Sequence, residues 1–159
     1  MNADDSLSRS RAGDGAGGRP PRLDPFAILD GDVDPDAVVA LVRDPECGAV
    51  ATFLGTVRGT SEGRIVLRLE YEVLEEMALE QFAHFADELR ARFAVKRVAI
   101  HHRRGIVPVG GVSVAIAVSA PRRGDALQAC AAAIESLKRD APIWKKEVYP
   151  DGHRWVLGS

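Results

Sequence analysis

The chain has 159 residues, 46% of them hydrophobic, and a formal net charge of −2. This length suffices for one domain with its own core, and a second domain would be too small to be stable. No apolar stretch suits a signal peptide or a membrane span, and the early acidic residues Asp4, Asp5 and Asp14 argue against a transit peptide, so we expect a cytoplasmic protein.

The charge is unevenly distributed along the chain. Residues 1–94 hold 10 Lys/Arg and 18 Asp/Glu, a net charge of −8, whereas residues 95–159 hold 11 and 5, a net charge of +6. Such asymmetry favours an anionic ligand for the second half: a phosphate-bearing small molecule, an acidic protein tail or nucleic acid. Residues 1–22 have few apolar side chains, so we predict a disordered tail before a single domain at 23–159.

The first predicted elements are a short helix and two strands. Asp34 is a good N-cap and Pro35 suits the first helical position. Residues 49–57 read as a buried strand that ends at Arg58, and residues 65–73 alternate as a strand with Ile65, Leu67, Leu69, Tyr71 and Val73 on its inner face. We expect the polar loop at 59–63 to be mobile, with Arg58 at the rim of a site.

A long helix and two further strands follow. Apolar residues at helical spacing predict a helix over 75–93, and residues 97–103 and 112–118 predict strands joined by a turn-rich connection. His101 and His102 would point to opposite faces of their strand, so we expect no shared metal ion. Cys47 and Cys130 lack metal-binding spacing, and we expect Cys130 to be a small core residue without a disulfide.

The last predicted elements are a helix and a hairpin. Residues 125–138 form the helix, with Leu127, Ala131, Ile134 and Leu137 predicted to face inward. Arg122 and Arg123 would lie at its start, where free backbone amides favour an anion. A turn at 150–152 is predicted to join the strand after Trp144 to the final strand as a β-hairpin. We expect Trp144 and Trp155 to be packing residues. The predicted fold class is α+β, a mainly antiparallel sheet covered by two long helices.

Two lysines flank the stop of the last helix. Pro142 disfavours helical geometry at Ala141, so the chain must turn between Lys138 and Lys145. Two ammonium groups could then meet in one pocket, where repulsion and burial would lower a lysine pKa and leave some neutral amine as nucleophile or base. The spacing alone also fits a helix-terminal lysine and a solvated strand lysine.

Five ordered blocks resemble the catalytic large-subunit family of molybdopterin synthase. They are residues 48–58 (GAVATFLGTVR), 69–72 (LEYE), 99–103 (AIHHR), 119–123 (SAPRR) and 141–147 (APIWKKE). The likeness covers about residues 25–157 and implies the hammerhead-like α/β fold of that family. It also implies that Lys138 and Lys145 are the catalytic pair.

The resemblance implies further site residues and partners. Arg58 and Arg123 match family arginines, whereas Arg122 stands where the family usually has histidine, which leaves anion binding intact but puts proton transfer at that position in doubt. We therefore predict substrate binding by Arg58, Arg122 and Arg123, with Phe53, His102 and Arg103 as candidate site-lining residues.

By the same resemblance the substrate is cyclic pyranopterin monophosphate, and the sulfur donor is a thiocarboxylate on the C-terminal Gly-Gly of a small ubiquitin-like subunit. The family assembles as a heterotetramer around a dimer of large subunits, and it needs no metal or redox cofactor. Two other classes fit the residues: a non-catalytic module that docks the ubiquitin-like protein, and a nucleic-acid-binding domain, although exposed aromatics interleaved with basic residues are lacking.

Overall fold

The computed structural model describes residues 24–156, so the predicted tail at 1–22 lies outside the described residues. The predicted single domain at 23–159 stays a prediction. Within the described range the chain forms the helices α1 (Pro35–Val42), α2 (Glu75–Arg92) and α3 (Arg123–Asp140). The strands there are β1 (Phe26–Leu29), β2 (Ala49–Thr56), β3 (Thr60–Ser61), β4 (Arg64–Ile65), β5 (Arg68–Val73), β6 (Arg97–Arg103), β7 (Gly105–Pro108), β8 (Val112–Ala120), β9 (Ile143–Tyr149) and β10 (Gly152–Val156).

The first sheet has the strand order β1-β6-β8-β2 and is covered by helices on both faces. The two pairs that involve β8 are antiparallel, whereas β1 pairs with β6 in parallel. The sequence analysis missed β1, a four-residue strand without a clear alternation. The predicted α+β class with a mainly antiparallel arrangement and two long helices is confirmed, although the strands divide between two larger sheets.

The two long helices pack on one face of this sheet and α1 packs on the other. Phe82 and Phe85 of α2 are almost fully buried, and burial of such a side chain contributes about 1.5–3 kcal/mol. On the opposite face, Val38 and Val42 of α1 pack against alanines of β6 and β8, whose small size permits close approach. The predicted N-cap is confirmed, since the Asp34 carboxylate accepts hydrogen bonds from the amides of Asp36 and Ala37.

The second sheet has the strand order β10-β9-β5-β7 and is antiparallel throughout. The predicted strand at 65–73 is interrupted, because its alternation changes phase between Val66, which is buried, and Leu69. Ile65 and Leu67 are consequently 64% and 48% exposed, contrary to the prediction that they face inward. The connection after β6 was predicted as turns alone, but it contains β7, paired with β5.

The loop predicted to be mobile at 59–63 is part of a small β-hairpin. β3 and β4 pair only with each other, as a two-stranded sheet. Glu62 and Gly63 at the turn both have positive φ, 48° and 77°, the combination that a two-residue type I′ turn requires. A hydrogen bond from the Val66 amide to the Gly59 carbonyl closes the base of the hairpin.

Helix α3 presents a different face to the core from the one predicted. Ile134 and Leu137 are buried as expected, but Leu127 is 62% exposed and Ala131 is also exposed. The small residues of the helix decide its orientation, because they let α3 lie close to the sheet; the inward ones are Ala126, Ala129, Cys130 and Ala133. Cys130 is thus a core residue, as predicted.

The C-terminal hairpin of β9 and β10 is confirmed, with Tyr149 opposite Gly152. Trp155 on β10 is 45% exposed, so the prediction that it packs inside is wrong; the Lys146 ammonium lies 5.5 Å from its ring centroid instead. Across residues 24–156, the helices lack the length and apolar character that crossing a membrane would demand.

Candidate active site

The turn between α3 and β9 brings the two flanking lysines to one cavity. Lys138 lies in the last turn of α3, and Ala141 after the helix is extended, with φ −71° and ψ 137°. Pro142 then leads into β9, while its carbonyl accepts a hydrogen bond from the Leu74 amide at 3.2 Å, which fixes the turn to the start of α2. The chain therefore reverses within a few residues, and Lys145 returns towards the helix end.

We call the space between them the lysine cavity; it measures about 500 Å³. Five predicted site residues line it: Lys138, Lys145, Arg58, Phe53 and His102. The other lining residues are Leu54, Gly55, Thr56, Thr60, Ser61, Val66, Leu69, Tyr71, Ser113, Val114, Ile134, Leu137, Ile143, Glu147 and Val156. Both sheets and α3 therefore contribute to its wall.

Three other predicted residues lie elsewhere within the single chain. Arg122 is the N-cap of α3 and Arg123 is its first residue, and both line a separate open cleft with Gln128. Arg103 is largely buried and its guanidinium pairs with the Asp32 carboxylate, away from the lysine cavity.

Lys145 has the electrostatic environment of a reactive amine. Burial lowers the pKa of its ammonium below the ordinary value, and the positive charges of Lys138 and Arg58 lower it further. The Glu147 carboxylate acts in the opposite direction. The result is a half-buried lysine from which a proton is more easily removed than from a solvated one.

Glu147 is a site residue that the sequence analysis missed. It is a buried carboxylate, 6% exposed, that accepts hydrogen bonds from Tyr149 at 2.5 Å and from Ser61 at 3.3 Å. Burial is the largest single effect and would raise its pKa, but the two hydrogen bonds and the charges of Lys145 and Arg154 together outweigh it, so the pKa of Glu147 is lowered. The period of two along β9 could have revealed it, because Lys145 and Glu147 must face the same side of the strand.

Two aromatic side chains of the cavity wall, those of His102 and Tyr71, are neutral. The imidazole of His102 is buried, and desolvation lowers its pKa to about 4, so that it is uncharged near neutral pH. The Tyr71 ring packs edge-on against it, with centroids 5.0 Å apart, and burial raises the pKa of Tyr71. The positive charges of the cavity therefore come from Lys138, Lys145 and Arg58 alone among its lining residues.

The two buried histidines do not share a ligand. Nε2 of His101 lies 2.8 Å from the Asp24 carbonyl, whereas Nδ1 of His102 lies 2.8 Å from the Arg103 carbonyl. Among residues 24–156 no group of three or more His, Cys, Asp or Glu side chains is placed to hold a metal ion.

Because His102 is buried in its neutral form, we predict that the protein loses stability in acid. Its folded pKa of about 4 lies below the unfolded value of about 6.5, so its contribution is complete above pH 6.5 and is lost as the pH falls towards 4. Between pH 7 and 4.5 this loss amounts to about 2–3 kcal/mol of unfolding free energy. Urea unfolding should show a shallower pH dependence in His102→Asn than in the wild type, while the exposed His84→Asn serves as the control. Equal pH slopes in all three proteins would contradict this.

The uneven charge of the chain is largely neutralised by folding. Basic residues of the second half pair with acidic residues of the first, as in Lys96–Glu46, Arg97–Asp44 and Arg104–Asp30. Of the 17 Lys/Arg in residues 24–156, seven form no ion pair with another described residue. They are Arg43, Arg58, Arg92, Arg122, Arg123, Lys138 and Lys145, a set that contains every predicted catalytic or substrate-binding cation.

Comparison with known proteins identifies the family. The family model described as "MoaE protein" matches residues 28–140. A protein of Aedes aegypti named molybdopterin synthase catalytic subunit 1 is 49% identical over 113 residues, 70% of this chain and 73% of that protein. A Drosophila virilis protein named molybdopterin synthase catalytic subunit is 46% identical over 128 residues, 80% of this chain, but the chain spans only 37% of its length.

Solved structures agree with these matches. A molybdopterin synthase structure from Staphylococcus aureus superposes with a TM-score of 0.81 at 34% identity, over 84% of this chain and 98% of that chain. A Helicobacter pylori structure, described as a complex of subunits 1 and 2 of molybdopterin-converting factor, has a TM-score of 0.70 over 84% of this chain and 90% of that chain; at 21% identity it supports the fold alone.

Proposed function

The chain belongs to the MoaE family, and from this membership we propose that it is the catalytic subunit of a molybdopterin synthase. In this role it transfers sulfur from a thiocarboxylated small subunit to cyclic pyranopterin monophosphate and so forms the dithiolene of molybdopterin. The observation that carries the proposal is the lysine cavity, in which Lys138, Lys145 and Arg58 converge without an ion pair to any described carboxylate.

The proposed chemistry assigns separate tasks to the cations. The two lysines activate the thiocarboxylate and move protons as carbon–oxygen bonds give way to carbon–sulfur bonds, and Lys145 contacts the terminal carbonyl of the small subunit. The lowered pKa of Lys145 supports this role, because a neutral amine accepts a proton. No metal or redox cofactor is required, and the cytoplasm is the proposed compartment.

The substrate phosphate is the proposed ligand of the three arginines. Arg58 lies in the lysine cavity, whereas Arg122 and Arg123 line a separate cleft of the same chain. We propose that a second copy of the chain supplies Arg122 and Arg123, as a homodimer within the heterotetramer would permit. The start of α3 adds free backbone amides to these guanidinium groups.

A reconstituted turnover assay tests the function. The purified chain, the thiocarboxylated small subunit and cyclic pyranopterin monophosphate should yield molybdopterin without added metal. Binding of the small subunit with no product over many hours would instead identify a non-catalytic docking module.

Arg122 gives a more specific prediction. Arg122→Ala should raise the KM for the pterin substrate by about ten- to a hundredfold, because a charge-assisted phosphate contact is worth roughly 1.5–3 kcal/mol. Its effect on kcat should be smaller. Arg122→His should keep substantial activity. Steady-state kinetics decides the matter: an unchanged KM in Arg122→Ala would show that this arginine only covers the helix start.

A further inference from the structure

The small β-hairpin at residues 60–65 forms part of the wall of the lysine cavity, and its side chains are held by hydrogen bonds, ion pairs and the contact of Arg64 with the Tyr149 ring. Thr60 and Ser61 line the cavity. No apolar side chain of residues 60–65 is buried, and Ile65 is 64% exposed. A segment without buried apolar contacts opens at little cost in free energy.

Two arginines connect the hairpin to the C-terminal strands. Arg154 on β10 donates to Glu62 at the hairpin turn at 2.8 Å, and its other terminal nitrogen lies 3.4 Å from Glu147 in the cavity. Arg64 on β4 donates to Asp151 at 2.8 Å, and its guanidinium lies 3.7 Å from the Tyr149 ring centroid. Arg154 thus joins the hairpin turn to the cavity wall.

Both ends of the hairpin are anchored in the body of the protein. Before it, the amide of Val57 donates to Gly111 and its carbonyl accepts from Gly110. After it, the Leu67 amide donates to the Val148 carbonyl at 2.8 Å. Movement is therefore confined to the residues between these anchors.

We propose that the hairpin at 60–65 is a lid over the lysine cavity, that Arg154 and Arg64 are positioning residues that latch it, and that it opens to admit the extended tail of the small subunit. This inference rests on the proposed function for the identity of the tail. The closed lid keeps water from the thiocarboxylate beside Lys145, so the latch controls whether sulfur goes to the substrate or is lost by hydrolysis. The exposed Arg–carboxylate pairs shift the open–closed equilibrium by up to about fivefold each and weaken with salt.

Hydrogen exchange of the free protein tests the lid without any partner or substrate. In the double variant Arg64→Met/Arg154→Met, amides of residues 60–65 should exchange several-fold faster than in the wild type. Arg90→Met is the matched control, because Arg90 forms a similarly exposed ion pair with Asp87 on α2. Equal exchange of the hairpin in the wild type and the double variant would overturn the latch.

The ratio of hydrolysis to transfer tests what the lid does. With the thiocarboxylated small subunit and pterin substrate, the double variant should release several-fold more hydrogen sulfide per molybdopterin than the wild type and Arg90→Met. Added salt should raise this ratio in the wild type but not in the double variant. A ratio equal to that of the wild type would overturn the lid, since a merely structural role would lower both products together.

A reversible lock tests access. Glu62→Cys and Arg154→Cys are introduced into a Cys47→Ser protein, and the two new thiols are joined by a bifunctional methanethiosulfonate. The cross-linked protein should bind the small subunit at least about tenfold more weakly. Reductant should break the cross-link and restore binding. Unchanged affinity in the locked protein would overturn the inference. Should the wild type form no molybdopterin at all, the proposed function fails, and hydrogen exchange still decides the lid.

Discussion

Replacing Lys145 or Lys138 by alanine should reduce molybdopterin formation by at least about a hundredfold, the usual contribution of a positioned acid or base. Both side chains face the lysine cavity, and neither pairs with a described carboxylate, so their loss should leave the fold intact. Product formation under single-turnover conditions with the thiocarboxylated small subunit measures the effect, and thermal unfolding checks the fold.

Lys146→Ala is the matched control for this experiment. Lys146 follows Lys145 directly but points to the other face of β9, where it pairs with Glu70. It should retain activity within a few-fold of the wild type. Near-normal turnover in Lys145→Ala or Lys138→Ala, with unchanged thermal stability, would end the catalytic assignment of that lysine.

The Lys138→Ala protein also reports on the electrostatics of the pair. The charge of Lys138 lowers the pKa of Lys145, so its removal should raise that pKa. An amine-reactive acylating reagent modifies the neutral form of Lys145, and mass spectrometry measures the extent of modification at each pH. The pH at which Lys145 becomes reactive should therefore be higher in Lys138→Ala than in the wild type. The opposite shift is expected for Glu147→Gln, because that carboxylate raises the Lys145 pKa.

Deleting the two C-terminal glycines of the small subunit should abolish activity and weaken binding. The chain offers no sulfur donor of its own: Cys130 is buried with a pKa raised to about 11, and Cys47 lies outside the lysine cavity. The cavity instead suits an incoming carboxylate or thiocarboxylate at the end of an extended tail.

Calorimetry measures the binding of the small subunit, and the product assay measures activity. Removal of residues 1–22 of this chain is the control and should change neither by much. Full activity with the glycine-less small subunit would refute the assignment. Multiple turnovers without any small subunit would refute it as well.

Much of the architecture was predictable because its signals are local. The stop at Pro142, the cap at Asp34 and the hairpin after Tyr149 each depend on a few neighbouring residues. The convergence of Lys138 and Lys145 followed from the same local reasoning, strengthened by the family resemblance.

What escaped prediction depends on contacts between distant parts of the chain. The division of the predicted strand at 65–73 into β4 and β5 follows from the phase change between Val66 and Leu69, and only pairing with β7 and β9 shows where β5 begins. The inward face of α3 is decided by how closely its alanines approach the sheet. The larger Leu127 suggested a different inward face, but it is exposed. Glu147 was not predicted, although it lies two residues after Lys145 and therefore on the same face of the strand.

The parts of the cavity lie at very different distances from one another along the chain. Lys138 and Lys145 are seven residues apart across a single turn, so bringing them together costs little loop-closure entropy. The contact of Ser61 with Glu147, by contrast, spans 86 residues. A contact of such long range closes a much larger loop at a greater cost in chain entropy, and the pairing of β9 with β5 does the same. The proximity of the two lysines is therefore a local property of the chain, whereas the covering of their cavity requires the complete fold.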